Sequence, residues 1–233
     1  MAVALVNTNS NTGSGSSASI ALSAQSHTTG NTLVVGVRSA GWRQVTVTDT
    51  AGNFYSCCGS SVNFGGSEHL TLFVARNIAG NANNVITAAF ADVNGSSSAV
   101  SFRYIVSAQY SGLGSIPTLN IASAIGNRTV SSNTLTAPTI SSLGTTGVFV
   151  TVSQIAASGT TWTPGSGFSF VVQDADNTVY MQDMTFTSLQ SSVSPSVTSS
   201  SGTSKDILAI VLAEVSDGSG GGGSGTGESG CVS

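Results

Sequence analysis

Charge is scarce in this chain of 233 residues: Asp, Glu, Lys and Arg together make up 7% of it, where a globular domain ordinarily carries about 25%. The six basic residues, Arg38, Arg43, Arg76, Arg103, Arg128 and Lys205, stand singly. They form no stripe that could follow a phosphate backbone, so nucleic acid is not an expected partner. Histidine is scarcer still. His27 and His69 have no Cys, Asp, Glu or His at a ligand spacing beyond the adjacent Glu68, so no metal and no cofactor is expected. Three cysteines, Cys57, Cys58 and Cys231, are too few for a disulfide framework. Long apolar runs are missing too: nothing approaches the roughly 20 residues of a membrane helix, and no membrane partner is expected. The first six residues read as a strand and lack the basic and apolar regions of a leader, so the chain as written is expected either to stay where it is made or to have lost its leader. Disorder is excluded for the body, because a mean hydropathy of +0.25 and a net charge of -4 give neither of its two requirements. A surface with so little charge suits a repetitive assembly whose neighbours cover one another.

What fills the chain is alternation. Hydrophobic residues make up 39%, and they recur at every second position, the period of a strand. Strands are predicted over 2–6, 18–23, 32–38, 44–49, 54–58, 70–76, 84–91 and 100–110, then over 134–140, 148–155, 168–173, 178–184 and 206–215. No helix is expected. Leu70, Leu72 and Val74 share one face, as do Val45 and Val47 opposite Gln44, Thr46 and Thr48, the pattern of a sheet wet on one side. In the last strand Leu208, Ile210 and Leu212 oppose Ile207, Val211 and Val215, which predicts a central strand buried twice. Cys57 and Cys58 are neighbours on a strand and must point to opposite faces.

Asp49-Thr-Ala-Gly-Asn53 lies between two such runs, with an Asp to cap a turn and a Gly for a positive φ, and it predicts a hairpin. Asp174-Ala-Asp-Asn-Thr178 repeats it. The turns belong to a longer internal similarity. Thr32 to Val37, Trp42, Gln44 to Asp49, the turn and Phe54-Tyr55 run in the same order as Val148 to Val152, Trp162, Phe168 to Asp174, the turn and Val179-Tyr180. The expected fold is therefore an all-β antiparallel sandwich, jelly-roll-like, whose body over 1–216 consists of two similar halves, about 1–113 and 114–216, joined as one body. From 217 to 233 the composition turns to Gly and Ser, a linker by composition. Gly220, Gly227, Glu228 and Cys231 in this tail are candidate assembly contacts, and the Cys231 thiol could reach a neighbouring chain.

Chemistry is hard to find. Asp174 and Asp176 resemble a fragment of a calcium loop without its further oxygen ligands, and capping of the turn accounts for them. Gly165-Ser-Gly167 lacks the longer elbow of a hydrolase, and no serine has a base and an orienting acid in view. The glycines after 220 open no helix and end in no Lys, so no phosphate loop is present. No catalytic residue is assigned, and the chain is not expected to be an enzyme. Trp42 and Trp162 could stack on a sugar ring, or their matching places in the two halves could reflect a shared packing role.

Gly30-Asn-Thr-Leu-Val-Val-Gly-Val37, Val45 to Tyr55, Leu72-Phe-Val-Ala-Arg-Asn-Ile78 and Gly165-Ser-Gly-Phe168 together resemble jelly-roll-like sandwich modules of tailed-phage structural proteins, also found in bacterial surface proteins. The resemblance covers nearly all of 1–216 and rests on turns and strands. It implies a non-enzymatic virion protein, a capsid decoration or cement protein ahead of a tail or fibre component. Such a protein would be assembled in the host cytoplasm, be homo-oligomeric, and have the major capsid protein among its partners. The alternative is a carbohydrate-binding or adhesive module at a cell surface or outside the cell, using Trp42 and Trp162.

Overall fold

The structure is a computed structural model, and it describes residues 2–41, 43–62, 68–114, 117–124, 133–201 and 205–214. Every regular element among them is a strand. The first half of the chain contributes β1 (Ala4–Gly13), β2 (Ser19–Ala21), β3 (Gln25–His27), β4 (Thr32–Ala40), β5 (Gln44–Asp49), β6 (Ser56–Val62), β7 (Glu68–Ala75), β8 (Asn81–Asn84), β9 (Ile86–Ala91) and β10 (Arg103–Ser111). The second contributes β11 (Thr118–Ala124), β12 (Thr134–Thr136), β13 (Gly147–Ile155), β14 (Trp162–Pro164), β15 (Ser169–Gln173), β16 (Val179–Phe186), β17 (Ser196–Ser199) and β18 (Lys205–Ala213). All pairings between these strands are antiparallel, as an all-β sandwich requires.

Two five-stranded sheets, β1-β10-β4-β7-β6 and β11-β18-β13-β16-β15, form the middle of the molecule. They meet over one apolar interior, with Val34, Leu70, Leu72, Val74 and Val106 on one side and Val148, Val150, Val152, Met181, Leu208 and Ile210 on the other. Each large sheet is covered on its far face as well. The sheet β2-β9-β5 packs Ile20, Val47, Ala88 and Phe90 onto Leu33, Val35, Val37, Phe73 and Ile105. The sheet β12-β17-β14 packs Leu135, Val197 and Trp162 onto Ile155, Tyr180, Ile207 and Ala209. Burial on both faces explains why β13 and β18 are buried at every position, and why their sequences are near-continuous apolar runs. It also corrects one expectation: the strand carrying Leu70, Leu72 and Val74 has no wet face, because Phe73 and Ala75 beside them lie under the outer sheet. The wet-sided pattern of Val45 and Val47 belongs to β5, in an outer layer.

Without the short pair β3–β8, which is confined to the first half, each half has eight strands. In both halves the first pairs with the eighth, the eighth with the third, the third with the sixth and the sixth with the fifth, while the second, seventh and fourth make the outer sheet. Contacts across the middle are reciprocal: β1 lies against β15 as β11 lies against β6, and β10 lies against β16 as β18 lies against β7. A local two-fold therefore relates the large sheets. The β4 backbone comes close at this crossing, where a Cβ added to Gly36 would stand 2.6 Å from a methyl of Val152. The matching of strands by sequence is off by one place after β4 and β13: the counterpart of β5 is β14, and that of β6 is β15. Consequently the Asp49 turn is not a hairpin, since it carries the chain from an outer sheet to a large one, whereas the Asp174 turn closes the hairpin of β15 and β16.

Candidate interaction surface

The two Asp turns share a local geometry despite their different settings. In the first, Gly52 N–H donates to the Asp49 carbonyl at 3.3 Å, Gly52 has φ 76°, and the Asp49 carboxylate accepts from Asn53 N–H at 2.9 Å. In the second, Asn177 donates to the Asp174 carbonyl at 3.0 Å with φ 58°, and the Asp174 carboxylate accepts from Thr178 N–H at 2.7 Å. Asn serves where Gly did because its short polar side chain tolerates the left-handed region.

Around Asp49 a network joins Asn53, Tyr55, Asn84 and His27. Its Oδ2 accepts from Asn53 at 2.8 Å, Tyr55 at 2.9 Å and Asn84 at 2.9 Å. Asn84 Oδ1 accepts from Thr50 Oγ1 and from Ala51 N–H, so its amide nitrogen must be the donor, and its second proton reaches His27 Nδ1 at 2.9 Å. The His27 ring is thereby fixed as the neutral form protonated on Nε2. Burial raises the Asp49 carboxyl, but the donors Asn84, Asn53 and Tyr55 outweigh it and hold the group below its ordinary value. Burial pushes His27 down from 6.5, against a smaller opposing pull from Asp49. The cluster ties β3, β5 and β8 together and leaves no carboxylate or imidazole facing solvent as a reactive pair.

Asp174 is spent in the same way. Its carboxylate accepts from the backbone of Asp176, Thr178 and Val179 and from Thr12 of β1, a capping role that uses up the oxygens a calcium ion would need. Among the described residues no group of three or more His, Cys, Asp or Glu could hold a metal ion. Trp162 is a correction to the sugar-stacking reading. It is 8% exposed, its ring stacks on Tyr180 with centroids 5.2 Å apart, and its Nε1–H donates to the Asn177 carbonyl at 2.8 Å. Both ring and donor are engaged inside the second half, so no ligand can lie on it. Trp42, Gly220, Gly227, Glu228 and Cys231 lie outside the described residues.

Two polar pairs sit at the interior between the large sheets. Tyr110 O–H of β10 donates to Asp183 of β16 at 3.0 Å, joining the halves, and burial raises the Asp183 carboxyl more than this bond lowers it. Arg38 pairs with Glu68 and lies over the Tyr104 ring at 4.8 Å. A cleft of about 360 Å³ does open at the junction of the halves, beside Asn31, Asn77, Gly112 and Gly114, and its lining is entirely Gly, Ser, Thr and Asn.

The surface carries several large apolar side chains. Leu143 and Leu189 are each 61% exposed. Their loops are clasped: Ser142 N–H donates to the Gln190 carbonyl at 2.8 Å and Gln190 N–H to Ser142 Oγ at 2.9 Å, so the two leucines stand on one fixed support. Phe54, Val93 and Phe102 are exposed in loops of the first half. Sequence reading placed Phe54 and Phe102 in strands, whereas both lie just outside one, and it singled out none of Val93, Leu143 and Leu189, because a lone apolar residue in a loop has no period to mark it. No protein-family model, no curated protein and no solved structure matches this chain.

Proposed function

We propose that this chain is a non-enzymatic structural protein of a tailed-phage virion: a capsid decoration or cement protein, with a tail or fibre component as the second place for it. The observation that carries this reading is the winding of each half, first strand with eighth, second with seventh and third with sixth. These pairs resemble those of a jelly roll, an architecture used by viral capsid domains, and their recurrence in both halves supports the reading. The absorption of Asp49, Asp174, His27 and Trp162 into structural networks supports a role in contact and not in catalysis. Exposed leucines on a clasped loop pair supply apolar contact points for a neighbouring subunit or for the major capsid protein, and a homo-oligomer assembled in the host cytoplasm follows from the same reading.

Quantitative mass spectrometry of purified virions from a culture carrying the gene tests it. A fixed ratio to the major capsid subunit places the protein on the capsid, and a few copies per particle place it in the tail. Its absence from particles overturns the proposal. The carbohydrate reading is not carried forward, since the buried, stacked Trp162 removes one of the two residues on which it stood.

A further inference from the structure

A β protein can take on another chain at a sheet edge, because an edge strand presents unpaired N–H and C=O groups. Most edges of this molecule are guarded. Asparagine side chains lace β1 to the segment 21–26 and β11 to Ser141. Bulges interrupt β6 and β15. Strands β2, β12 and β14 are three residues long, and β14 ends in Pro164. Strand β5, Gln44-Val-Thr-Val-Thr-Asp49, has none of these protections: its six residues pair with β9 in unbroken register, without Pro or Lys. Among the described residues no strand pairs with its other side. The direction of its backbone groups follows from β9. Phe90 N–H donates to the Ala18 carbonyl at 2.8 Å and Leu22 N–H to the Ile86 carbonyl at 2.9 Å, so Phe90 and Ile86 both bond toward the β2 side. Their register partners Val45 and Asp49 therefore turn their own N–H and C=O away from β9, as does Val47 between them.

We propose that β5 pairs antiparallel with β5 of a second copy of this chain across a two-fold axis, which makes one continuous sheet in the order β2-β9-β5-β5-β9-β2. The strand is complementary to itself. With Thr46 opposite Thr46, Val45 opposite Val47 and Gln44 opposite Thr48, facing residues lie on the same side of both sheets, as the pleat demands. Val45 and Val47 then exchange hydrogen bonds through their outward backbone groups, while their side chains stay on the large sheet beneath each copy. On the wet face only Thr and Gln oppose one another, so no like charges meet. Arg43 precedes the strand and Asp49 ends it, so an antiparallel copy sets the positive end of one strand beside the negative end of the other. Phe54, 77% exposed in the connection that leaves β5, adds apolar surface near that end. The contact gives the homo-oligomer of the virion reading a location, but it rests on strand geometry alone, and either can fail without the other.

Sedimentation velocity of the full chain over a concentration series in reducing buffer is the test. The wild type should pass from monomer to dimer as concentration rises. Thr46→Lys, which sets two lysines directly opposite each other at the two-fold, should abolish the dimer over the same range with an unchanged melting temperature, whereas Thr48→Lys, opposite Gln44, should keep it. Thr46→Cys gives an independent check, because opposite residues of a non-hydrogen-bonded pair have Cα atoms about 4.5 Å apart, within the reach of a disulfide. Under oxidation it should yield a covalent dimer whose peptide map joins two copies of the peptide holding position 46, and this decides the matter if Thr46→Lys fails to fold. A wild type that stays monomeric at every concentration leaves the edge to an extended segment of another protein and overturns the proposal. A dimer that Thr46→Lys leaves intact, or one in which Thr46→Cys forms no bond at that position, overturns it too.

Discussion

At the scale of single residues, Asp49 holds the most. Four donors converge on it, and replacing it by Ala strands Asn84, Tyr55 and Asn53. Because each abandoned buried donor costs about 1–3 kcal/mol, Asp49→Ala should lower the unfolding free energy by roughly 2–4 kcal/mol, measured by urea titration. Two other groups give opposite pH responses. His27 has a folded-state value below its ordinary 6.5, so its contribution is intact above 6.5 and is lost as pH falls below that, when the unfolded chain takes up the proton. Asp183 has a folded-state value above 3.8, so the native state is penalised once that carboxyl ionises and gains stability as pH falls through the raised value. Thermal midpoints from pH 7.5 to 5 separate the two: His27→Gln should remove part of the acid loss. Asp183→Asn, which still accepts from Tyr110, should raise the neutral midpoint and lose the compensating gain. The Asp turns were readable in advance because Asp with a later Gly or Asn carries its mechanism in the sequence. The Asn84–His27 contact was not, since 57 residues separate the pair.

At the scale of elements, legibility followed apolar content. The runs that became β4, β13 and β18 declare themselves, because strands covered on both faces must be apolar throughout. Strands β3, β8, β11, β14 and β17 were missed, and the predicted 2–6 covers only the start of β1, whose polar remainder, Asn7 to Gly13, has no hydrophobic period. Its order comes from another source. Asn7, Asn9 and Asn11 donate from their side chains to the carbonyls of Ser26, Ser23 and Ala21 at 2.8, 2.9 and 2.7 Å, lacing β1 to the segment that runs beside it. In the second half Asn120 of β11 donates likewise to the Ser141 carbonyl at 3.0 Å. Asn at alternate positions of an edge strand is thus a signal that sequence reading could have used. With Asn7, Asn9 and Asn11 all changed to Ala, amide hydrogen exchange should quicken over β1 while β4 and β13 stay protected, and stability should fall by about 1–3 kcal/mol, the sum of modest net bonds.

At the scale of the whole molecule, the halves depend on close approach at their crossing. Gly36→Ala drives a methyl group into Val152 and should cost about 1–3 kcal/mol as overpacking. Val152→Ala in the same chain should recover much of this, and a double-mutant cycle in denaturant would measure the coupling. With residues 217–233 removed all the described strands keep their full length, so in reducing buffer the melting temperature should be unchanged, while incorporation into particles, followed by sedimentation with virions, should weaken. The order of motifs predicted two similar halves, and the strand orders of the two large sheets can be laid side by side. Their pairing was misaligned by one strand, because the Asp turn recurs at places the topology does not equate.

The local two-fold between the large sheets turns the outer sheets away from each other, one to each side of the molecule. On the virion reading proposed above, a subunit so made would serve as a bivalent connector, gripped by two neighbours from opposite sides through related surfaces. Because those surfaces come from separate stretches of chain, substitutions can retune one grip and leave its opposite number as it was.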